Sequence, residues 1–134
     1  MESIFELKTK TTVDLAIFER MKEKATEMLS EAEKGQYTQA VVLLSVSGNE
    51  YGAIIKDALS EEKEDEAFLI QKIREAKDTE IYCALCMWHD KSIDIPSFAL
   101  RKLILAANPN NSKTLIYVMT ADGASVIKLS ETIK

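Results

Sequence analysis

Residues 94–104 read DIPSFALRKLI, a stretch that carries both the start signal and the buried face of a helix. Pro96 stands in the first turn, where its missing backbone N–H is harmless. Small and aliphatic residues then recur at helical spacing, at Ala99, Leu100, Leu103, Ile104 and Ala107. The spacing predicts an amphipathic helix that packs one face on a core and closes at Asn108 and Pro109.

Segments typical of strands surround this helix. IYCALCMW, residues 81–88, is apolar throughout and predicts a central strand covered on both faces. Upstream, YTQAVVLLSV and YGAIIKDAL flank the turn SGNE, which predicts an antiparallel hairpin over residues 37–58. Downstream, TLIYVMT and SVIKL flank the turn ADG and predict two more strands.

Two further helices complete the predicted elements. The first begins at Thr12, a residue type that caps helices, and ends at Gly35, a glycine that suits the left-handed conformation after a helix. The second covers about Glu62 to Lys77, with acidic residues at the end where the helix dipole favours them. The order of elements predicts an α/β protein: a three-layer α/β/α sandwich around a five-stranded mixed sheet, most of it parallel.

Length and composition are those of a globular protein. The 134 residues predict a single domain, residues 1–134, with residues 1–12 as an N-terminal extension. A hydrophobic share of 46% with 29% charged residues is neither disordered nor membrane-spanning, and a net charge of −5 argues against nucleic acid as a partner. The first residues lack a secretory signal, so we expect a cytoplasmic protein with both cysteines reduced.

Four separated stretches resemble the cytidine deaminase family. PSFALRKLI (96–104) aligns without a gap on the family's PCGACRQVL, and EDEAFLI (64–70) aligns on CAERTAI. YGAIIKDA (51–58) aligns on TGVNIENA, and the ending IKLSETI is similar to YTLSELL. The resemblance spans about residues 14–134 and implies the cytidine deaminase-like fold in a divergent member.

The same resemblance implies that the zinc ligands are lost. In that family three Cys or His ligands hold a zinc ion that generates hydroxide, and a glutamate that is not a ligand moves protons. The three ligand positions carry Glu64, Ser97 and Leu100, and leucine cannot bind a metal. Glu66 matches the proton-moving glutamate, although the helix dipole alone also favours an acidic residue there. We therefore expect no zinc, no other cofactor and no zinc-dependent deamination.

The strand that holds the nucleoside in the family has also changed. Ile54 and Lys56 stand where the family has the Asn and Glu that bind the ribose, and Asp57 replaces another Asn. A ribose placed here would lose hydrogen bonds worth about 1–3 kcal/mol per buried group. Cytidine is therefore not the expected ligand.

A rebuilt metal site is one alternative, in which Cys86 or His89 would join Glu64 or Glu66. On a strand, however, Cys83 and Cys86 point to opposite faces and do not chelate one ion together.

Two aromatic residues expected near the C-terminal end of the strand 81–88 are further candidates. Trp88 could line a pocket there. Phe98 stands where the family has a glycine, so its ring either partly fills the former active-site space or lies on the surface.

These residues lead to two hypotheses. The first is a pseudoenzyme retained for binding a small molecule or for assembly, with a homo-oligomer implied by the resemblance. The second is an enzyme that uses the same cleft for other chemistry, with an acid, base or nucleophile drawn from Glu66, Glu64, Asp57, Ser97 and His89; Ser97 equally suits the role of a helix cap. The candidate ligand-binding residues are Asp57, Glu64, Glu66, Trp88, Ser97 and Phe98.

Overall fold

The structure, a computed structural model, describes residues 13–33 and 35–133. Helix α1 covers Leu15–Glu31, and the side chain of Asp14 caps it by accepting hydrogen bonds from the backbone N–H groups of Ala16 and Ile17. The predicted cap Thr12 and the predicted extension 1–12 lie outside the described residues. The predicted end at Gly35 is wrong, because the chain already becomes extended at Ala32.

The remaining elements follow the predicted order with small additions. The strands are β1 (Gln39–Ser45), β2 (Glu50–Ile55), β3 (Ile81–Trp88), β4 (Ile93–Asp94), β5 (Leu115–Thr120) and β6 (Gly123–Lys128). The other helices are α2 (Glu64–Glu75), α3 (Phe98–Ala107), a 3₁₀ helix (Pro109–Lys113) and the short α4 (Leu129–Thr132). Pro96 lies just before the cap of α3 rather than inside its first turn.

The strands form one mixed sheet in the order β2-β1-β3-β5-β6, with the two-residue strand β4 paired to β3. The prediction of a mixed sheet is confirmed, and β4 adds a short sixth strand to the five that were predicted. The expectation of mostly parallel pairing is wrong: within the described residues only β3 and β5 pair in parallel. Short turns join β1 to β2 and β5 to β6, and such turns require antiparallel neighbours.

Helices cover both faces of this sheet, which confirms the three layers. On one face α1 packs through Phe18, Met21, Ala25 and Leu29. On the other face α2 packs through Leu69 and Ile73, and α3 packs through Leu100 and Ile104. The central strand β3 is buried between them, as its continuous apolar sequence predicted.

In the part of the chain described, no helix is both long and apolar enough to cross a lipid bilayer.

Candidate functional site

Two of the sequence motifs meet where β2 ends and α2 begins, and the third forms α3, which shares a core cluster with α2. The first turn of α2 contains Glu64, Asp65 and Glu66, so three carboxylates follow one another at the positive end of the helix dipole. Asp65 Oδ2 accepts a hydrogen bond from the backbone N–H of Lys56 at 2.9 Å. This bond ties the end of the edge strand β2 to the start of α2.

Ser97 is the cap of α3. Its Oγ accepts a hydrogen bond from the backbone N–H of Leu100 at 3.2 Å, as a serine at this position commonly does. Arg101, one turn further, donates to the carbonyl oxygens of Pro96 and Thr132, both at 2.9 Å. The start of α3 is therefore held from the side by Arg101, which also secures α4.

The residues that align with the three zinc ligands of cytidine deaminases do not fit a zinc ion. Leu100 has no donor atom and is 1% exposed in the core. The Ser97 oxygen is committed to the helix cap, and Glu64 is exposed to solvent. Across residues 13–33 and 35–133, no three His, Cys, Asp or Glu side chains come together as a metal-binding group. The rebuilt site that would combine Cys86 or His89 with these glutamates is thus not formed in that part of the chain.

Glu66 is the buried charge of this region. Its residue is 2% exposed, and its Oε2 lies 3.8 Å from Nζ of Lys63 in an ion pair. Lys63 Nζ also donates to the carbonyl oxygen of Ala58 at 3.1 Å. Motif matching did not identify Lys63, yet the sequence contained a signal: a lysine stands directly before an acidic run, at the residue that caps α2.

Two residues at the end of β2 make contacts within the protein. Ile54 packs against the apolar cluster on the α1 side of the sheet. The Oδ1 atom of Asp57 accepts a hydrogen bond from the backbone N–H of Leu59 at 3.0 Å, which closes a local turn. The predicted ligand-binding residue Asp57 therefore has a structural role in this loop.

Among the described residues, the exposed Lys56 lines three open grooves. A groove of about 770 Å³ lies between β2 and α2, and its walls include Ile54, Glu64 and Phe68. A second, of about 600 Å³, lies beside the connection from α1 to β1, and a third, of about 220 Å³, lies over the β2–α2 loop. The space beside β2 is therefore open, and it is lined by Lys56 and carboxylates.

The end of β3 forms a tight turn. Trp88 is half-buried and donates from Nε1 to Asp94 Oδ2 at 3.0 Å, which joins β3 to β4. His89 is exposed in the turn. The Ser92 hydroxyl and backbone N–H both bond to Asp90, and these bonds hold the pKa of the Asp90 carboxyl below its usual range. His89 and Trp88 thus lie at the end of the central strand, as expected.

The two cysteines lie on opposite faces of β3, as predicted. Cys83 belongs to the cluster under α1, and Cys86 belongs to the cluster under α2 and α3. Burial raises the pKa of Cys83 to about 11, and burial also raises the pKa of Cys86. Both are free thiols in apolar surroundings, which makes them poor nucleophiles.

Phe98 takes the second of its two expected positions, on the surface. It is 53% exposed, and the cationic groups of Arg101 and Lys102 lie over its ring at 5.6 and 5.4 Å from the centroid. That the ring partly fills the space of an active site stays a prediction.

Among solved structures, cytidine deaminases share the fold of this chain. The enzyme from Mycobacterium tuberculosis has a TM-score of 0.65 at 14% identity, over 90% of this chain and 94% of that one. The enzyme from Bacillus anthracis has a TM-score of 0.67 at 10% identity, over 87% of this chain and 86% of that one. The enzyme from Mycobacterium leprae has a TM-score of 0.61 at 11% identity, over 87% and 96% of the two chains.

No protein-family model and no curated protein sequence matches the chain. The structural likeness therefore carries the assignment, and it defines the class: a protein with the cytidine deaminase-like fold. The TM-scores establish the fold, but at identities of 10 to 14% they say nothing about activity, which has to be argued from the residues of the site.

Proposed function

We propose that this chain is a non-catalytic protein of the cytidine deaminase-like fold, retained for binding a small molecule or for assembly. The observation that carries the proposal is the set of residues at the positions aligned with the zinc ligands. Leucine occupies one ligand position and is buried in the core, and the serine at a second position serves as a helix cap. Deamination in this fold depends on hydroxide activated by zinc, so Glu66 alone has no activated water to act on.

Binding of a small molecule is supported by the open groove between β2 and α2. Its walls combine a cation on Lys56, a carboxylate on Glu64 and the exposed ring of Phe68. A few charged groups beside an aromatic surface are typical of sites that orient a polar ligand. The loss of the ribose-binding Asn and Glu indicates that this ligand is not cytidine.

Assembly with further copies of this chain, within the cytoplasm, is the second candidate. Large apolar side chains are exposed on the elements that cover the face of the sheet opposite α1 and on the loop before them: Leu59 in the β2–α2 loop, Phe68 on α2 and Phe98 on α3. Exposed apolar side chains are common at interfaces between subunits.

The first test is elemental mass spectrometry of protein purified without a chelator or a metal-binding tag, together with a cytidine deamination assay. We expect far less than one zinc per chain and no turnover, while a cytidine deaminase purified in parallel shows both. Near-stoichiometric zinc or measurable deamination would overturn the proposal.

Nondenaturing mass spectrometry separates the two retained roles, because it reports the number of chains and any small molecule that purifies with them. If assembly is the role, Phe68→Ser or Phe98→Ser reduces the number of chains in the particle. Leu15→Ser, an exposed apolar residue on α1 at the opposite face, is the matched control and leaves it unchanged.

A further inference from the structure

The geometry points to a built-in counter-ion: we propose that the ammonium of Lys63 is the positive charge that balances the carboxylate of Glu66 inside the protein. The pair joins the cap residue of α2 to the third residue of the same helix, with Nζ and Oε2 3.8 Å apart. The inference concerns how this site is held together in the absence of a ligand or metal.

Glu66 needs such a partner because of its burial. The residue is 2% exposed, and moving a carboxylate out of water without a compensating charge is costly. Among the described residues, its ion pair is with Lys63. Leu100, which is 1% exposed, supplies no charge to the core cluster that it shares with Leu69 and Ile70 of α2.

Lys63 stands where the local rules of helix formation disfavour it. The cap position prefers Ser, Thr, Asp or Asn, and the positive end of the helix dipole repels an ammonium. Lys63 makes no cap hydrogen bond with its side chain. Instead the side chain, 29% exposed, donates to the Ala58 carbonyl and reaches Glu66. Departures from local preference of this kind are expected where tertiary contacts decide the residue.

This inference rests on the proposed function in one respect: if a metal ion balanced Glu66, Lys63 would not be needed as its counter-charge. The proposed function and this inference can fail independently. Zinc content tests whether the protein lacks a metal, whereas stability measurements on protein dialysed against EDTA test the pairing of Lys63 with Glu66.

The experiment compares urea unfolding of the wild type with Lys63→Met, Glu66→Gln and the double variant. Methionine keeps most of the length and the apolar stem but removes the charge. We expect Lys63→Met to raise the unfolding equilibrium constant at pH 7 at least about tenfold, because it leaves a buried charge alone. The exposed Lys113→Met is the matched control and is expected to change it less than about threefold.

The second residue gives a readout that simple packing would not move. In the double variant no charge is left unpaired, so its unfolding constant should lie within about threefold of that of Glu66→Gln alone.

Rescue by Lys63→Arg, which keeps the charge, would further support the proposal. A Lys63→Met deficit equal to that of the control would overturn it, as would a deficit that persists when Lys63→Met is combined with Glu66→Gln. If Lys63→Met does not fold at pH 7, the double variant must fold for the proposal to stand.

Discussion

The carboxylate of Asp78 collects four hydrogen bonds at the point where α2 leads into β3. The donors are the hydroxyls of Ser45, Ser47 and Tyr51 and the amide of Asn49, at 2.6 to 3.0 Å. These bonds, with that from Ser47 first, hold the pKa of Asp78 well below its usual range, and the bond to Asp78 raises the pKa of Tyr51. The Asp78 side chain thus attaches the β1–β2 turn to the connection between α2 and β3.

We expect Asp78→Ala to lower the free energy of unfolding by about 2 kcal/mol at pH 6, because hydrogen bonds to a charged group are worth more than neutral ones. Asp78 has a lowered pKa in the folded state, so its contribution is complete above the unfolded pKa of about 3.9 and is lost as the pH falls through the folded value. Urea unfolding should therefore show a smaller difference between wild type and variant at pH 3 than at pH 6.

Asp122→Ala is the control for this change, since Asp122 is an exposed aspartate in the β5–β6 turn. A difference between wild type and Asp78→Ala that is the same at both pH values would show that the ionised carboxylate is not what the turn depends on.

At the scale of secondary structure, Asn111 joins three elements from inside the 3₁₀ helix. Its residue is fully buried, its Oδ1 accepts from the Ile81 N–H, and its Nδ2 donates to the carbonyls of Thr79 and Ile104, all at 2.8 Å. The end of α3 is thereby attached to the start of β3, and the parallel pairing of β3 with β5 begins beside this junction.

Asn111→Ala should lower the free energy of unfolding by about 3 kcal/mol, since it leaves several backbone groups without partners in the interior. Chemical denaturation measures the loss. Asn110→Ala, on the exposed neighbour, should cost less than about 0.5 kcal/mol. Equal losses for both variants would mean that Asn111 does not hold the junction.

For the molecule as a whole, the proposed absence of zinc has a thermodynamic consequence. A ligand that binds only the folded state stabilises it by mass action, so its removal lowers the melting temperature. We expect EDTA to change the melting temperature of this protein by less than about 1 °C. Differential scanning calorimetry with and without the chelator measures this, and a cytidine deaminase is the positive control. A drop of several degrees would indicate a structural or catalytic metal.

Much of the fold could be predicted from local sequence patterns, because the spacing of apolar residues reflects which faces of a helix or strand are buried. The run of apolar residues in β3 predicted a strand with the same ends as the observed one, and the hairpin of β1 and β2 followed from two strands around a short turn. The start of α1 and the strand β4 were missed. Asp14 lies two residues after the expected cap, and β4 is held by only two residue pairs on β3.

The candidate site was harder to predict, because a motif identifies a position but not the direction of a side chain. Ser97 and Asp57 were candidates for chemistry, and both bond to the backbone of their own segments. Phe98 was a candidate for filling the cleft, and it lies on the surface. Lys63 was not a candidate, because its partner Glu66 becomes a buried charge only when α2 packs on the sheet.

The amino-acid sequence by itself determined the order of the main helices and strands, the pairing within hairpins and the residue types at the positions aligned with zinc ligands, since these depend on residue type and spacing along the chain. The tertiary structure alone decided the order of the strands across the sheet, how deeply Glu66 is buried and which cation faces it. These features arise from contacts between residues of different segments, and the energy of a charge depends on the surroundings that packing creates around it.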